Sequence, residues 1–197
     1  MDTAPLKIVF YPHPALRHQS KPIKRVDADL KRIIREMFTL MYEANGIGLA
    51  ANQVNLPFRL FVINLAAVPD EGEELVFLNP VLSKPKGSEE YEEGCLSLPQ
   101  LYAPVLRPKQ VMVQAYNLRG EEISTSLDGM LARVVQHEYD HLEGVLFTDR
   151  VKASALDEVQ PALDSFTSEF DRLRQQGEIP SDEQIAQRLQ QWEQKYC

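Results

Sequence analysis

The residues that stand out chemically are His137-Glu138-Tyr139-Asp140-His141. In an α-helix, positions i and i+4 lie one turn apart on the same face, so the two imidazoles would converge on one point suited to a metal ion. Glu138 is rotated about a third of a turn from His137, which places its carboxylate to act as a base on a metal-held water rather than as a ligand. A five-residue pattern of this kind also arises by chance in helices with two ordinary histidines. The chemistry therefore depends on what else could bind the ion.

Two histidines hold a divalent metal weakly, and catalytic sites usually supply three protein ligands and leave one position open. The remaining histidines, His13 and His18, sit in a Pro-rich N-terminal stretch, where ordinary surface roles are the expectation. Glu143 follows His141 too closely to reach back comfortably, and Glu158 lies in a polar helical stretch. Cys95, within Glu92-Glu93-Gly94-Cys95-Leu96-Ser97-Leu98-Pro99, is the better candidate. A thiolate binds borderline metals strongly, and Gly94 gives the backbone freedom to aim it. An internal cysteine taken alone is more often a small buried hydrophobe. Cys95 and Cys197 are the only cysteines, which argues against a disulfide-stapled secreted scaffold and for a reducing compartment.

These side chains need rigid elements. Residues 27–44 carry Leu30, Ile33, Ile34, Met37, Phe38, Leu40 and Met41 at helical spacing, with Asp27 or Asp29 as N-cap and Asn45-Gly46 as the stop. Residues 58–63 and 75–78 read as strands separated by an acidic turn. Residues 109–116 and 121–127 read as a hairpin about Asn117-Leu118-Arg119-Gly120. Asp128 then caps the helix that carries the histidines, which Gly144 ends. Strands precede this helix rather than alternating with it. The expected class is α+β, with mostly antiparallel strands around a central metal-binding H-E-x-x-H helix. The first 25 residues, with Pro5, Pro12, Pro14 and Pro22, read as an extended arm. The tail from Val151 is polar, carries five basic against nine acidic residues, and shows helical patterns at 165–174 and 181–196 interrupted by Pro161 and Pro180. The expected division is a catalytic domain at 1–150 and a helical extension at 151–197.

With 21 Lys and Arg against 29 Asp and Glu, the net charge of −8 argues against a broad nucleic-acid or anionic-membrane surface, so no direct nucleic-acid binding is expected. No stretch approaches the roughly 20 apolar residues that span a bilayer, and no basic region followed by an apolar run opens the chain. A cytoplasmic protein is expected, with an organellar one after removal of a transit peptide as the alternative.

Three segments settle which metal hydrolase this is. Gly46-Ile47-Gly48-Leu49-Ala50-Ala51-Asn52-Gln53, Glu93-Gly94-Cys95-Leu96-Ser97 and Gln136-His137-Glu138-Tyr139-Asp140-His141-Leu142-Glu143-Gly144 resemble, in order and spacing, the three signature motifs of peptide deformylases. The resemblance runs from residue 5 to about 150. It implies that Cys95, His137 and His141 hold one divalent ion with water in the fourth position. It further implies that Glu138 moves the proton, and that the Gln53 amide and the Leu96 backbone N–H meet the charge developing on the substrate oxygen. The implied substrate is the N-formylmethionine end of a newly made polypeptide, and the implied products are formate and a free N-terminus. Ile47 and Gly48 would pair with the extended peptide, with contacts from Glu93, Gly94 and Tyr102. Helical spacing puts Met130 and Val134 on the face of the histidines, as candidates for the wall of an apolar methionine pocket. The family is known for Fe2+, with Ni2+, Co2+ or Zn2+ tolerated, and Cys/His/His ligation suits all four. Some bacterial-type members carry Arg where this chain has Tyr102, which can donate a hydrogen bond but brings no charge. Ribosome binding, attributed in some members to a basic C-terminal helix, does not carry over easily to an acidic tail.

Overall fold

The computed structural model describes residues 5–197. The first helix, α1 (Ala28–Glu43), starts where the Asp27 carboxylate accepts the Leu30 N–H at 2.9 Å, and ends as Asn45 turns left-handed at φ 55°. Leu30, Ile33, Ile34, Met37, Phe38 and Met41 form its buried stripe. Next come β1 (Gly48–Ala50), a single 3-10 turn (Ala51–Val54), β2 (Leu60–Ile63) and the long β3 (Leu75–Lys86). The hairpin β4 (Glu89–Cys95) and β5 (Leu98–Arg107) is followed by β6 (Gln110–Tyr116), β7 (Glu122–Asp128) and α2 (Gly129–Leu142).

One antiparallel sheet has the order β1-β2-β3-β6-β7, and β4 and β5 form a separate pair. Alternation along β2 and β3 divides the core in two. Leu60, Val62, Val76 and Leu78 pack with the stripe of α1, whereas Phe61, Ile63 and Phe77 pack with Val134, Val135 and Leu142 of α2. A strand covered on both faces needs no polar side, which is why Leu60-Phe61-Val62-Ile63 is apolar throughout. The histidine helix is thus pressed against the back of the sheet, with β1 beside it.

The β4–β5 hairpin did not stand out in the sequence, because its outward positions on β4 are Glu-rich and β5 contains two prolines. Its inward residues Leu98, Leu101, Ala103 and Val105 form a third cluster with Leu16, Phe147, Val151 and Val159. The tail also departs from expectation. Helix α3 (Ala153–Gln175) runs unbroken through Pro161, held on either side by buried Val159 and Phe170. Helix α4 (Asp182–Tyr196), capped by Ser181, buries Ile185 and Leu189 against Ala15, and Tyr196 enters the α1 cluster edge-on to Phe58. His13 is buried rather than a surface residue. Its Nδ1 accepts the Ala15 N–H at 3.2 Å and its ring meets Phe170 edge-on. His18 pairs with Glu193 of α4 at 2.8 Å. No helix among the described residues is long and apolar enough to cross a membrane.

Candidate active site

Helical spacing brings the rings of His137 and His141 to 5.1 Å between centroids, and β4 delivers Cys95 against them at a shift in register between Gly94 and Cys95. The ligand atoms of the three residues lie within 4.8 Å of one another, with Cys95 Sγ 3.3 Å from His141 Nε2. Tetrahedral geometry with ordinary metal–sulfur and metal–nitrogen bonds would separate S and N by about 3.5 Å. The donor set and its spacing therefore fit a divalent ion. These are the only three His, Cys, Asp or Glu residues so grouped among the described residues.

Each donor is oriented from outside. His137 Nδ1 lies 3.0 Å from Glu93 Oε2, so its proton points at the carboxylate and Nε2 is left to face Cys95. Glu93 is itself gripped. Arg107 Nε and Nη2 donate to its two oxygens at 2.6 and 2.9 Å, and Arg133 Nη1 donates at 2.6 Å. Arg107 then reaches across with Nη1 to Asp140 at 2.7 Å, and Asp140 is held from the other side by Arg150. Asn52 donates to the backbone carbonyl of His141. On the opposite wall, the Ala50 N–H donates to Gln53 Oε1 at 2.8 Å, which turns Nε2 toward Cys95 Sγ (3.4 Å) and Ser97 Oγ (3.2 Å).

Glu138 lies beneath β1, and only a glycine lets it. A Cβ on Gly48 would stand 2.4 Å from Glu138 Oε1. Burial pushes the Glu138 carboxyl up to about 7, against the pull of His137 and Arg107. Burial would lower His137, but Cys95 and Glu93 beside it carry it up to about 10, so this cluster attracts positive charge. Burial alone would raise Glu93, yet His137 and Arg107 hold it at about 2. His141 is pushed well below its ordinary value by burial, with His137 and Arg107 adding to the effect.

The cluster opens into a cleft of about 850 Å³. Its walls come from the arm (Ile8, Phe10), the end of α1, β1, both strands of the hairpin and α2.

A family model described as polypeptide deformylase matches residues 5–156. A curated peptide deformylase of Rhodopirellula baltica is 48% identical over 98% of this chain and 96% of its own length. The chloroplastic/mitochondrial peptide deformylase 1B of Arabidopsis thaliana is 43% identical over 93% of this chain and 67% of its own. Among solved structures, a plant peptide deformylase superposes with a TM-score of 0.85 at 43% identity, covering 92% of this chain and 98% of that one. A Plasmodium falciparum peptide deformylase gives 0.82 at 38% identity, covering 84% and 98%.

This chain belongs to the peptide deformylase family. It is an enzyme that removes the formyl group from N-terminal formylmethionine of newly made polypeptides. Family membership and the grouping of Cys95, His137 and His141 together point to a metal cofactor, and this cluster is where an ion fits. The residues singled out in the sequence converge on one place. Ile47, Gly48, Gln53, Glu93, Gly94, Cys95, Leu96, Tyr102, Met130, Val134, His137 and Glu138 all line the cleft, with His141 directly behind. Sequence reasoning missed Arg107, Arg133, Asp140 and Ser97 as supports of the deformylase site. Arg107 at the end of a strand gives no local signal of burial, although an arginine with carboxylates nearby is how a fold hides one.

Proposed function

We propose a division of labour within this deformylase site. Cys95, His137 and His141 hold the ion, and the convergence of their ligand atoms within 4.8 Å is the observation that carries this reading. An ion bound there would supply an activated water and polarise the formyl oxygen. Glu138 takes the proton from the attacking water and returns it to the leaving amine. Its raised affinity for a proton, near 7, suits a group that must do both. Gln53 Nε2 and the Leu96 backbone N–H donate to the oxygen as charge builds on it. Gln53 is pre-set for this by its bond from Ala50.

The formyl-Met backbone lies along β1 at Ile47 and Gly48 as an added strand would, with Glu93 and Gly94 opposite and Tyr102 donating to the peptide farther out. Met130 and Val134 on α2 line the methionine pocket. Tyr102 packs across Gly94, where a Cβ would stand 2.6 Å from its ring, so the small residue opposite fixes the tyrosine.

We assign Fe2+ as the native ion, since a mixed thiolate and imidazole set accommodates it. Iron beside a thiolate is open to oxidation, so iron-loaded enzyme should lose activity in air faster than nickel-loaded enzyme, and equal decay would count against iron. We place the enzyme in the cytoplasm, with an organelle as the alternative that its named plant relatives favour. Detection of the native chain in one fraction of its source cells decides between them. The central test is formate release from formyl-Met-Ala-Ser with metal analysis of the same sample. Turnover that persists in Cys95→Ala with wild-type metal content would reject the ligand set.

A further inference from the structure

Two distant segments supply the oxyanion donors of the site proposed above, Gln53 from the turn after β1 and the Leu96 N–H beside Cys95. The N-terminal arm holds both segments. The Val9 N–H donates to the Gln53 carbonyl at 2.8 Å, and the Tyr11 N–H donates to the Ser97 carbonyl at 3.0 Å. Between these two bonds the arm crosses from one donor segment to the other, with Ile8 and Phe10 lining the cleft. The main chain on each side of the oxyanion position is thereby fixed. The Gln53 side chain needs more. The terminal torsion of a glutamine amide is broad, so a fixed backbone alone leaves its N–H groups free to swing.

Three contacts hold that amide. Its oxygen accepts the Ala50 N–H at 2.8 Å. Its nitrogen carries two hydrogens and has two acceptors in reach, Ser97 Oγ at 3.2 Å and Cys95 Sγ at 3.4 Å. The acceptors differ in kind. Sulfur accepts weakly, so the hydrogen it receives is the one that can be given up to an oxygen gaining charge in the cleft. The Ser97 hydroxyl accepts well, and Ser97 is fully buried, so no solvent water takes its place. An amide held at its oxygen and at one hydrogen keeps a single orientation, and its other hydrogen is aimed before the substrate arrives. A donor set in advance costs no reorganisation as the charge develops.

We propose that Ser97 is a positioning residue for the oxyanion site and acts through Gln53, its hydroxyl anchoring one amide hydrogen so that the other faces the reacting oxygen. The inference rests on Gln53 serving as an oxyanion donor, as proposed above. Leu96 and Leu98 line the cleft, whereas Ser97 between them does not. The hydroxyl therefore has no part in holding the peptide, and its influence belongs to the rate of the bound substrate rather than to its binding. The bond from Tyr11 gives Ser97 a fixed place from which to do this, since it ties the residue to the same arm that holds the Gln53 backbone.

The test compares Ser97→Ala, Gln53→Ala and the double variant in the full, metal-loaded chain, with formyl-Met-Ala-Ser as substrate. Gln53→Ala is expected to lower kcat about 100-fold or more, as loss of an oxyanion donor does. Ser97→Ala should lower kcat about tenfold, with KM and metal content within twofold of the parent. Once Gln53 is gone Ser97 has nothing left to aim, so the double variant should stay within about twofold of Gln53→Ala. A second measurement needs no variant, and decides the matter if Ser97→Ala fails to fold. In the zinc-loaded parent, hydrogen exchange of the isotope-labelled Gln53 side chain should retain one amide hydrogen at least tenfold longer than the other. Parental kcat in folded Ser97→Ala, a loss carried by KM, a further tenfold loss in the double variant, or two hydrogens that exchange alike each overturns the proposal. Parental kcat in Gln53→Ala rejects instead the oxyanion reading beneath it, so the two failures are told apart.

Discussion

Burying a carboxylate costs stability unless it is paired, and Glu138 is 4% exposed with Oε2 lacking a hydrogen-bond partner among the described residues. A residue kept under that burden is retained for chemistry. Glu138→Gln has the same shape and removes the buried charge. It is expected to lower kcat by about 100-fold or more, with metal content unchanged and a Tm at pH 8 equal to or above that of the parent. A fall in Tm of several degrees with little loss of rate would mean that the carboxylate is structural. At this scale the sequence was informative where spacing does the work. His137, Glu138 and His141 follow from one helical turn, and Cys95 stands out as a third ligand by its thiol and the glycine before it, whereas Gln53 became legible only through the resemblance of its motif. Gln53 read alone looks like a surface amide. Its burial comes from the tight turn after β1, where left-handed Asn55 closes the chain, and that geometry has no periodic signature.

Between elements, the connections that matter are polar and long-range, which is why they were invisible in the chain. Arg107 at the end of β5 ties Glu93 of β4 to Asp140 of α2, and is itself 3% exposed. Arg107→Met would strand two buried carboxylates, though Arg133 and Arg150 still partner them. A loss of about 3 kcal/mol in urea unfolding is expected, with faster release of metal to a chelator, since His137 takes its direction from Glu93. Unchanged metal release in a folded variant would detach Glu93 from the site. A second link joins the arm to the extension. Burial lowers His13 to about 4, with Arg174 and Arg188 adding to the effect and Asp182 opposing it. In the unfolded chain the same imidazole titrates near 6.5. As pH falls from about 6.5 to 4, the unfolded state takes up a proton that the folded state refuses, so stability declines across that window and not further below it. The contribution is at most roughly 3 kcal/mol. His13→Asn keeps an acceptor for the Ala15 N–H and should flatten this part of the stability–pH curve. A variant curve that parallels the parent would place the acid sensitivity elsewhere. Helix α1 and the β6–β7 hairpin were readable from periodicity, because each has one wet face. The β4–β5 hairpin was not, since its alternation is masked by glutamates on one strand and prolines on the other.

For the molecule as a whole, the sequence suggests a catalytic domain at 1–150 carrying an accessory tail, yet the packing ties the two ends of the chain together. Helix α4 buries Ile185, Leu189 and Tyr196, and Tyr196 sits in the same cluster as Leu30 of α1 and Phe58 ahead of β2. His18 pairs with Glu193, and Asp27, the cap of α1, also receives the Tyr196 hydroxyl. We therefore propose that α4 belongs to the folding unit. Each buried side chain of this size contributes about 1.5–3 kcal/mol, so ending the chain after Gly177 removes on the order of 5 kcal/mol, comparable with the whole stability of a small domain. It also uncovers Phe58, whose only cover on that side is Trp192 and Tyr196 among the described aromatic contacts. The truncated chain is expected to be insoluble or to unfold at least 10 °C below the parent, with lost deformylase activity following from lost fold rather than from the cleft, which α4 does not line. Calorimetry of the purified truncation decides this. A soluble product melting within a few degrees of the full chain, and equally active on a short formyl peptide, would restore α4 to the status of an appendage.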